Sequence, residues 1–321
     1  MTTHALPFFS GDQLRRAVPM DDMLDAVEAA YRDVASGNDR SPMRAHVPVE
    51  AGDLLLMPGV RNGASGFSVK LVTVVGSNAA RGLPTIHAVV VWFDAATGRP
   101  VALIDGPTLT AMRTGAASGV ATRLLARREA TVAALIGTGA QAEWQLRGVL
   151  AARPISRVLV YARSAAARET FAADMASATG VDVEPMRSAE EAVRPADVVC
   201  CATTSSVPVF DAAWLRPGAH VNGVGAYRLG MVELPVELFE RAALVAVDSR
   251  AAAMAEAGDL VAAIDAGRLR EEALVEIGSV SRSWADERPE DAITAFKSVG
   301  LAIQDVAAAE LIVDRLLPTP G

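Results

Sequence analysis

The sequence predicts an α/β protein built on a doubly wound parallel sheet, and three observations lead there. A glycine turn at 137–142 joins an apolar run to a helical stretch. From that turn to residue 297, strand-like and helix-like segments alternate, whereas a block of short β-like runs precedes it. At 321 residues the chain exceeds a comfortable single core, so two domains are expected.

Asp21 to Ser36 carries apolar residues at helical spacing (Met23, Leu24, Val27, Ala30, Tyr31, Val34) and ends at Gly37, which predicts a helix. Between Val47 and Val91 the pattern changes. LLLMP, FSVKLVTVV and IHAVVVWFD are divided by Gly, Asn and Pro, as in an antiparallel sheet with turns. Leu109 to Arg128 has strong helix formers and no breaker after Gly119, so it reads as a helix connecting the domains. Strands at 132–136, 157–161, 181–184, 197–202, 219–224 and 243–247 then alternate with helical stretches, the pattern of a parallel sheet with crossover helices. Ile293 to Lys297 reads as a strand, and Gly300 to Leu317 as an amphipathic helix stopped by Pro318 and Pro320.

The segment TVAALIGTGAQAEWQ carries the clearest chemical signal. Gly137 permits a tight turn after the strand, Gly139 lets a pyrophosphate approach the backbone, and small Ala142 lets helix and strand pack closely. Gly137, Thr138, Gly139, Ala140 and Gln141 therefore form a candidate phosphate loop at a helix N-terminus, and a dinucleotide is the expected ligand. An acid at the end of the next strand would bind ribose hydroxyls and repel a 2′-phosphate. This chain has Arg163 and Ser164 there, with Arg168 one turn on, which favours NADP(H) and leaves NAD(H) as the alternative. Further candidates for cofactor contact follow other strands: Ala202, Thr203, Thr204 and Ser205; Val224 and Gly225; and Ser298, Val299 and Gly300. Each of these segments reads equally well as turn chemistry.

Composition bounds the rest. Hydrophobic residues make up 51% and charged residues 21%, as in a globular enzyme, and the net charge of -8 argues against a general nucleic-acid or anionic-membrane role. No apolar run approaches the ~20 residues that span a bilayer. The start, MTTHALPFFSGDQLRR, lacks a basic segment followed by an apolar one, so no signal peptide and a cytoplasmic location are expected. Cys200 and Cys201 are adjacent in a strand, pointing to opposite faces, and read as small apolar fillers. His4, His46, His87 and His220 have no ligand spacing, so no metal is expected.

Six ordered motifs, GDLLLMPG, GFSVKLVTVV, GLPTIHAVVVWFDAATGRPVALIDGPTLTAMRTGAASG, IGTGAQAEWQ, HVNGVGA and FKSVGLAIQDVA, resemble the ornithine cyclodeaminase and mu-crystallin family from about Arg44 to about Ala307. The resemblance implies a discontinuous α+β substrate-binding and dimerisation domain (1–118 plus 298–321), a Rossmann-like NAD(P)-binding domain (119–297) and a homodimer. It also implies that Arg44, Lys70 and Arg113 face a small α-amino or α-imino acid. Their chemistry agrees: two guanidinium groups can grip a carboxylate and an ammonium can orient the reacting end. Lys70 lies in an apolar strand, where an unpaired charge is costly, which favours a pocket. Thr114 and Ser118 stand on the Arg113 segment as supporting candidates, and Asp305 reads as a solvated or paired carboxylate.

Two departures bear on the reaction. Deaminating members carry an aspartate in a motif resembling VGADxPGKxEL, whereas this chain reads VGAYRLGMVEL with Tyr227 at that place. A tyrosine with a pKa of ~10 donates protons and does not serve as the base that amine displacement requires. Cyclodeaminases also tend to carry a glutamate where this chain has Leu55, which suits ring methylenes. The expectation is an NAD(P)H-dependent imine reductase, with Lys70, Arg113, Arg44 and Tyr227 at the substrate. Its substrate would be a cyclic ketimine carboxylate, Δ1-pyrroline-2-carboxylate or Δ1-piperideine-2-carboxylate, giving L-proline or L-pipecolate. The alternatives are an ornithine cyclodeaminase, an alanine dehydrogenase, and a non-catalytic NADPH-dependent binder of small ligands like mu-crystallin.

Overall fold

The switch from period-two runs to alternating strands and helices is realised, in a computed structural model of the chain, as two separate sheets. Residues 5–317 are described; His4, Pro318 and Pro320 lie outside them. The strands are β1 (Phe8–Phe9), β2 (Ala45–Val49), β3 (Gly52–Gly59), β4 (Gly66–Val74), β5 (Ile86–Asp94), β6 (Pro100–Asp105), β7 (Val132–Ile136), β8 (Arg157–Tyr161), β9 (Asp182–Pro185), β10 (Val198–Cys201), β11 (His220–Gly223), β12 (Ala242–Val247), β13 (Leu274–Glu276) and β14 (Ile293–Lys297). The α-helices are α1 (Gly11–Ala17), α2 (Met20–Ala35), α3 (Gly106–Leu125), α4 (Ala142–Ala152), α5 (Ala165–Thr179), α6 (Ala189–Val193), α7 (Val236–Arg241), α8 (Arg250–Glu256), α9 (Gly258–Asp265), α10 (Trp284–Glu287) and α11 (Ala302–Leu316). Two compact units result: the chain up to Arg113 together with the residues from Leu301 onward, and Thr114–Gly300. The first division falls within α3.

The first unit holds a six-stranded sheet in the order β1-β6-β5-β4-β3-β2, antiparallel from β6 to β2, with β1 added parallel to β6. Alternation along β4 sends Gly66, Ser68, Lys70 and Val72 to a buried face and Phe67, Val69 and Leu71 to a half-exposed one. Helix α11 lies directly on the buried face. A Cβ built on Gly59 would come within 2.7 Å of the Ala302 carbonyl oxygen. The helix predicted near residues 21–36 is α2; its Ala30 packs with Ile303 and Ala307 of α11. The sheet's other face is apolar, with Leu54, Leu56, Val91 and Phe93 half-buried beside the β4 residues and Phe67 stacked on Phe93 at 5.1 Å.

The second unit holds eight strands in the order β13-β12-β14-β11-β10-β7-β8-β9, all parallel. The chain winds from β7 out to β9, returns to β10 beside β7, and continues the other way, so the winding reverses between the carboxyl ends of β7 and β10. The α/β class read from the sequence is the one observed, and the parallel strands lie within two residues of their expected limits. Strands β1, β6 and β13 were not read from the sequence; β1 and β13 have two and three residues, too few to show a period. Helices α3 and α4 cross in near contact, since a Cβ on Gly115 would meet the Trp144 carbonyl at 2.1 Å and one on Gly148 the Gly115 carbonyl at 2.0 Å. At the end of α3 the guanidinium of Arg153 donates to the carbonyls of Arg123, Ala126 and Arg127, each at 2.8 Å, satisfying a buried C-terminus.

Candidate functional site

In the first unit, β4 and α11 bring opposite charges together under the sheet. Lys70 Nζ lies 2.7 Å from Asp305 Oδ2, and Arg113 Nε donates to Asp305 Oδ1 at 3.0 Å. Lys70 is 1% exposed and Asp305 0%. Arg113 Nη1 donates to Gln304 Oε1 at 3.4 Å, and Gln304 Nε2 to the Tyr31 hydroxyl at 2.7 Å, which ties the cluster to α2. Arg44, half-buried just before β2, adds a third positive charge that acts on Lys70. Burial drives the Lys70 ammonium down to about 7; Asp305 opposes that fall, while Arg113 and Arg44 add to it. Lys70 and Arg113 thus share one buried carboxylate, an imbalance that a bound anion would relieve. Leu55 occupies the same sheet face as Lys70 and is buried. Asp305, read from sequence as solvated or paired, is the paired and fully buried centre of this cluster.

In the second unit, the glycine turn lies at the winding reversal. Gly137 has φ +102, its N–H donates to the Tyr161 carbonyl at 2.9 Å, and a Cβ there would sit 2.8 Å from the Ala202 carbonyl oxygen. Only glycine fits that position. Gly139 faces open space, Gly139 and Ala140 are exposed, Thr138 is half-exposed, and the buried side-chain oxygen of Gln141 has no protein hydrogen-bond partner. The turn therefore has the room and the backbone approach that a pyrophosphate requires, and Gln141 Oε1 is an acceptor open to a ligand hydroxyl or amide. Arg163 and Ser164 are exposed after β8; the Ser164 hydroxyl caps α5 by accepting from Ala167 N at 3.2 Å. Arg168 Nη1 donates to the Ala162 carbonyl at 3.1 Å.

The other candidates divide between open and committed groups. Thr204 is exposed, but Thr203 and Ser205 serve turn bonds: Thr203 Oγ1 donates to Glu233 Oε2 at 3.1 Å and Ser205 Oγ to the Val207 carbonyl at 2.6 Å. Val224 is buried, its N–H donating to the Cys201 carbonyl. Gly225 is glycine because a Cβ would lie 2.1 Å from the Thr203 carbonyl. Ser298 Oγ, Val299 N and Gly300 N all donate to Asp248 Oδ2 at 2.9, 2.9 and 2.7 Å. Tyr227 is half-buried, with the Arg228 guanidinium 5.3 Å from its ring centre. Ser118 is turned into the α3–α4 contact, bonded to Gln145.

Sequence reasoning missed a second buried lysine cluster. Lys297 Nζ lies 2.7 Å from Asp259 Oδ2 and 3.9 Å from Glu233 Oε1, and donates to the Ala226 carbonyl at 2.7 Å; all three charged side chains are 0% exposed. Burial pushes the Glu233 carboxyl up, against the pull of Lys297 and of the amides it accepts from. The signal was available, because Lys297 ends the apolar run ITAF as Lys70 interrupts FSV and LVTVV.

This geometry accords with the comparisons. The sequence matches the ornithine cyclodeaminase/mu-crystallin family over residues 11–319. It is 36% identical to a Δ1-pyrroline-2-carboxylate reductase of Bacillus cereus over 312 residues, 96% of each chain. Among solved structures, it superposes with a TM-score of 0.89 and 33% identity on Thermococcus litoralis Δ1-pyrroline-2-carboxylate reductase in complex with NADH and L-proline, covering 97% of each chain. An archaeal alanine dehydrogenase dimer with bound NAD gives 0.87 and 32%, covering 97% of this chain and 95% of that one. The chain belongs to the ornithine cyclodeaminase/mu-crystallin family, and the protein is an enzyme of its oxidoreductase branch.

Proposed function

We propose that the protein reduces a cyclic ketimine carboxylate, Δ1-pyrroline-2-carboxylate or Δ1-piperideine-2-carboxylate, to L-proline or L-pipecolate with a nicotinamide cofactor, NADPH being favoured over NADH. The observation that carries this reading is the charge imbalance around Asp305: Lys70 and Arg113 against one buried carboxylate, with Arg44 acting on Lys70. A planar imino acid brings the missing anion. Arg113 spends Nε on Asp305 and Nη1 on Gln304, so the rest of its fork turns to the substrate carboxylate together with Arg44. Lys70 keeps its proton at Nζ beside Asp305 and orients the C=N end of the ring, while Leu55 faces the methylenes. The imine arrives protonated at its ring nitrogen, and the nicotinamide, when bound, would supply the hydride to C2, which gives the neutral amine with no proton taken from Lys70.

Residues 137–141 hold the pyrophosphate, and Thr203, Thr204, Ser205, Val224, Gly225, Ser298 and Gly300 border the dinucleotide through backbone and turn groups. Arg163, Ser164 and Arg168 receive the 2′-phosphate. NADH is the second reading for the cofactor, favoured by the NADH and NAD named for the solved relatives. Tyr227 walls the ring or donates a hydrogen bond and is no base. The half-exposed apolar sheet face of the first unit is the surface on which a homodimer forms.

The test is loss of NADPH absorbance with either imine, run beside NADH and beside ornithine plus NAD. Oxidation with an imine and silence with ornithine is the expected result and identifies the ring. Ammonia released from ornithine with neither imine turned over would overturn the reading.

A further inference from the structure

Glu233 grips two loops at the carboxyl edge of the parallel sheet at once. Its Oε2 accepts from Thr203 N at 2.9 Å and Thr203 Oγ1 at 3.1 Å, both beyond β10. Its Oε1 accepts from Gly225 N at 2.7 Å and Ala226 N at 3.4 Å, both beyond β11. The carboxylate therefore sits between adjacent strand ends, where the absence of a side chain on Gly225 lets the two loops nearly touch: a Cβ there would lie 2.1 Å from the Thr203 carbonyl and 2.8 Å from Glu233 Oε2. Glu233 is itself held from behind. Asp259 Oδ1 accepts from Glu233 N at 2.6 Å and Leu234 N at 3.0 Å, and Lys297, at the end of β14, pairs with Asp259.

Such a buried group is costly to keep charged, and burial already pushes Glu233 up. A clamp made of neutral backbone bonds would avoid that cost. What the charge adds is strength at one point: charge-assisted bonds are shorter and about twice as strong as neutral ones, and here they fix two loops against each other.

We propose that Glu233 is the positioning residue of the dinucleotide site, setting the spacing between the Thr203–Ser205 loop and the Gly225–Tyr227 loop that border the cofactor. This rests on the dinucleotide reading given above. Glu233 touches no ligand itself; it acts through the amides it holds. An amide in place of its carboxylate keeps one acceptor and sets an NH2 against either Thr203 N or Gly225 N, so one loop must move.

The experiment is a fluorescence titration of NADPH and of NADH into the full chain, with melting temperatures in parallel, for wild type, Glu233→Gln, Glu233→Asp and Asp259→Asn. Glu233→Asp keeps the charge opposite Lys297 but withdraws the carboxylate by one methylene, so it tests the span alone should Glu233→Gln fail to fold. Asp259→Asn removes a charge from the same cluster without touching either edge loop. Both Glu233 variants should raise the Kd of both nucleotides by about tenfold or more, the equivalent of about 1.4 kcal/mol. They should raise KM for nucleotide, and KM for the imine by less, through Tyr227 at the end of the displaced loop. Asp259→Asn should melt lower yet bind nucleotide within about threefold of wild type. Glu233 variants that bind like wild type would sink the inference, as would an equal loss of affinity in Asp259→Asn, which would reduce the cluster to a source of stability. A wild-type chain that binds neither nucleotide would instead sink the dinucleotide reading, and this inference with it.

Discussion

The two units each bury a lysine between strand and helix, and they do so with opposite charge balance. Lys70 and Arg113 pair with the one carboxylate of Asp305; Lys297 lies against the two carboxylates of Asp259 and Glu233. The difference lies in how each excess is met. The surplus negative charge beside Lys297 is absorbed within the protein, because Glu233 and Asp259 accept from the N–H groups of Thr203, Gly225, Ala226, Glu233 and Leu234. Beside Lys70 the balance is reversed: Lys70 and Arg113 divide the Asp305 carboxylate between them, and the Arg113 fork carries more donors than its bonds to Asp305 and Gln304 use. A buried ionic cluster whose acceptors are filled from its own backbone is a fastening; one with donors to spare is suited to take an anion.

That contrast can be broken most severely at Lys297. Lys297→Met leaves two buried carboxylates facing each other and should cost about 3–5 kcal/mol of stability, read as a fall in the urea midpoint. A change under about 1 kcal/mol would mean that the cluster is not ionised as drawn. Lys70→Ala should act on rate and leave the fold standing: kcat/KM for the imine falls by at least about a hundredfold while NADPH affinity is retained. Survival of turnover in that variant would remove Lys70 from the site. The smallest effect concerns the exposed end of β8. Arg163→Ala should raise the Kd of NADPH by about fivefold, as befits an exposed ion pair, and leave that of NADH unchanged; equal effects on both would deny contact with a 2′-phosphate.

Much of this was legible in the sequence because it depends on local pattern. The glycine turn, the parallel strands and α2 announce themselves through period and small residues, and Lys70 through a charge set in an apolar strand. The partners of those residues were not legible, since pairing is decided by the fold. Asp305 lies on a helix face otherwise made of Ala302, Val306 and Ala309, and a carboxylate there reads as paired or solvated until β4 is placed beneath it. Ser298 and Gly300 read as cofactor contacts by their place before a helix, yet Asp248, fifty residues back in the chain, takes Ser298's hydroxyl at 2.9 Å. Glu233 stands in the VGAYRLGMVEL motif with nothing local to mark it, because its bonds to Thr203 span thirty positions. The charge rule applied to Lys70 would have found Lys297 had it been carried to the last strand.

In the proposed reaction the Lys70 ammonium is the substrate's partner and Asp305 holds the proton on it. Burial sets Lys70 at about 7, and Asp305 is the group that keeps it from falling further. If the protonated form is the working one, kcat/KM declines as pH rises through that value, and removing the Asp305 charge lowers the Lys70 pKa and moves the decline to lower pH. The decisive measurement is the pH dependence of kcat/KM for Δ1-pyrroline-2-carboxylate in wild type and Asp305→Asn, where the imine's own titration is common to both and cancels from the difference. A decline shifted to lower pH in the variant is the predicted result. A decline at the same pH, or one shifted upward, would contradict the assignment of Lys70 and Asp305 as the proton-holding pair.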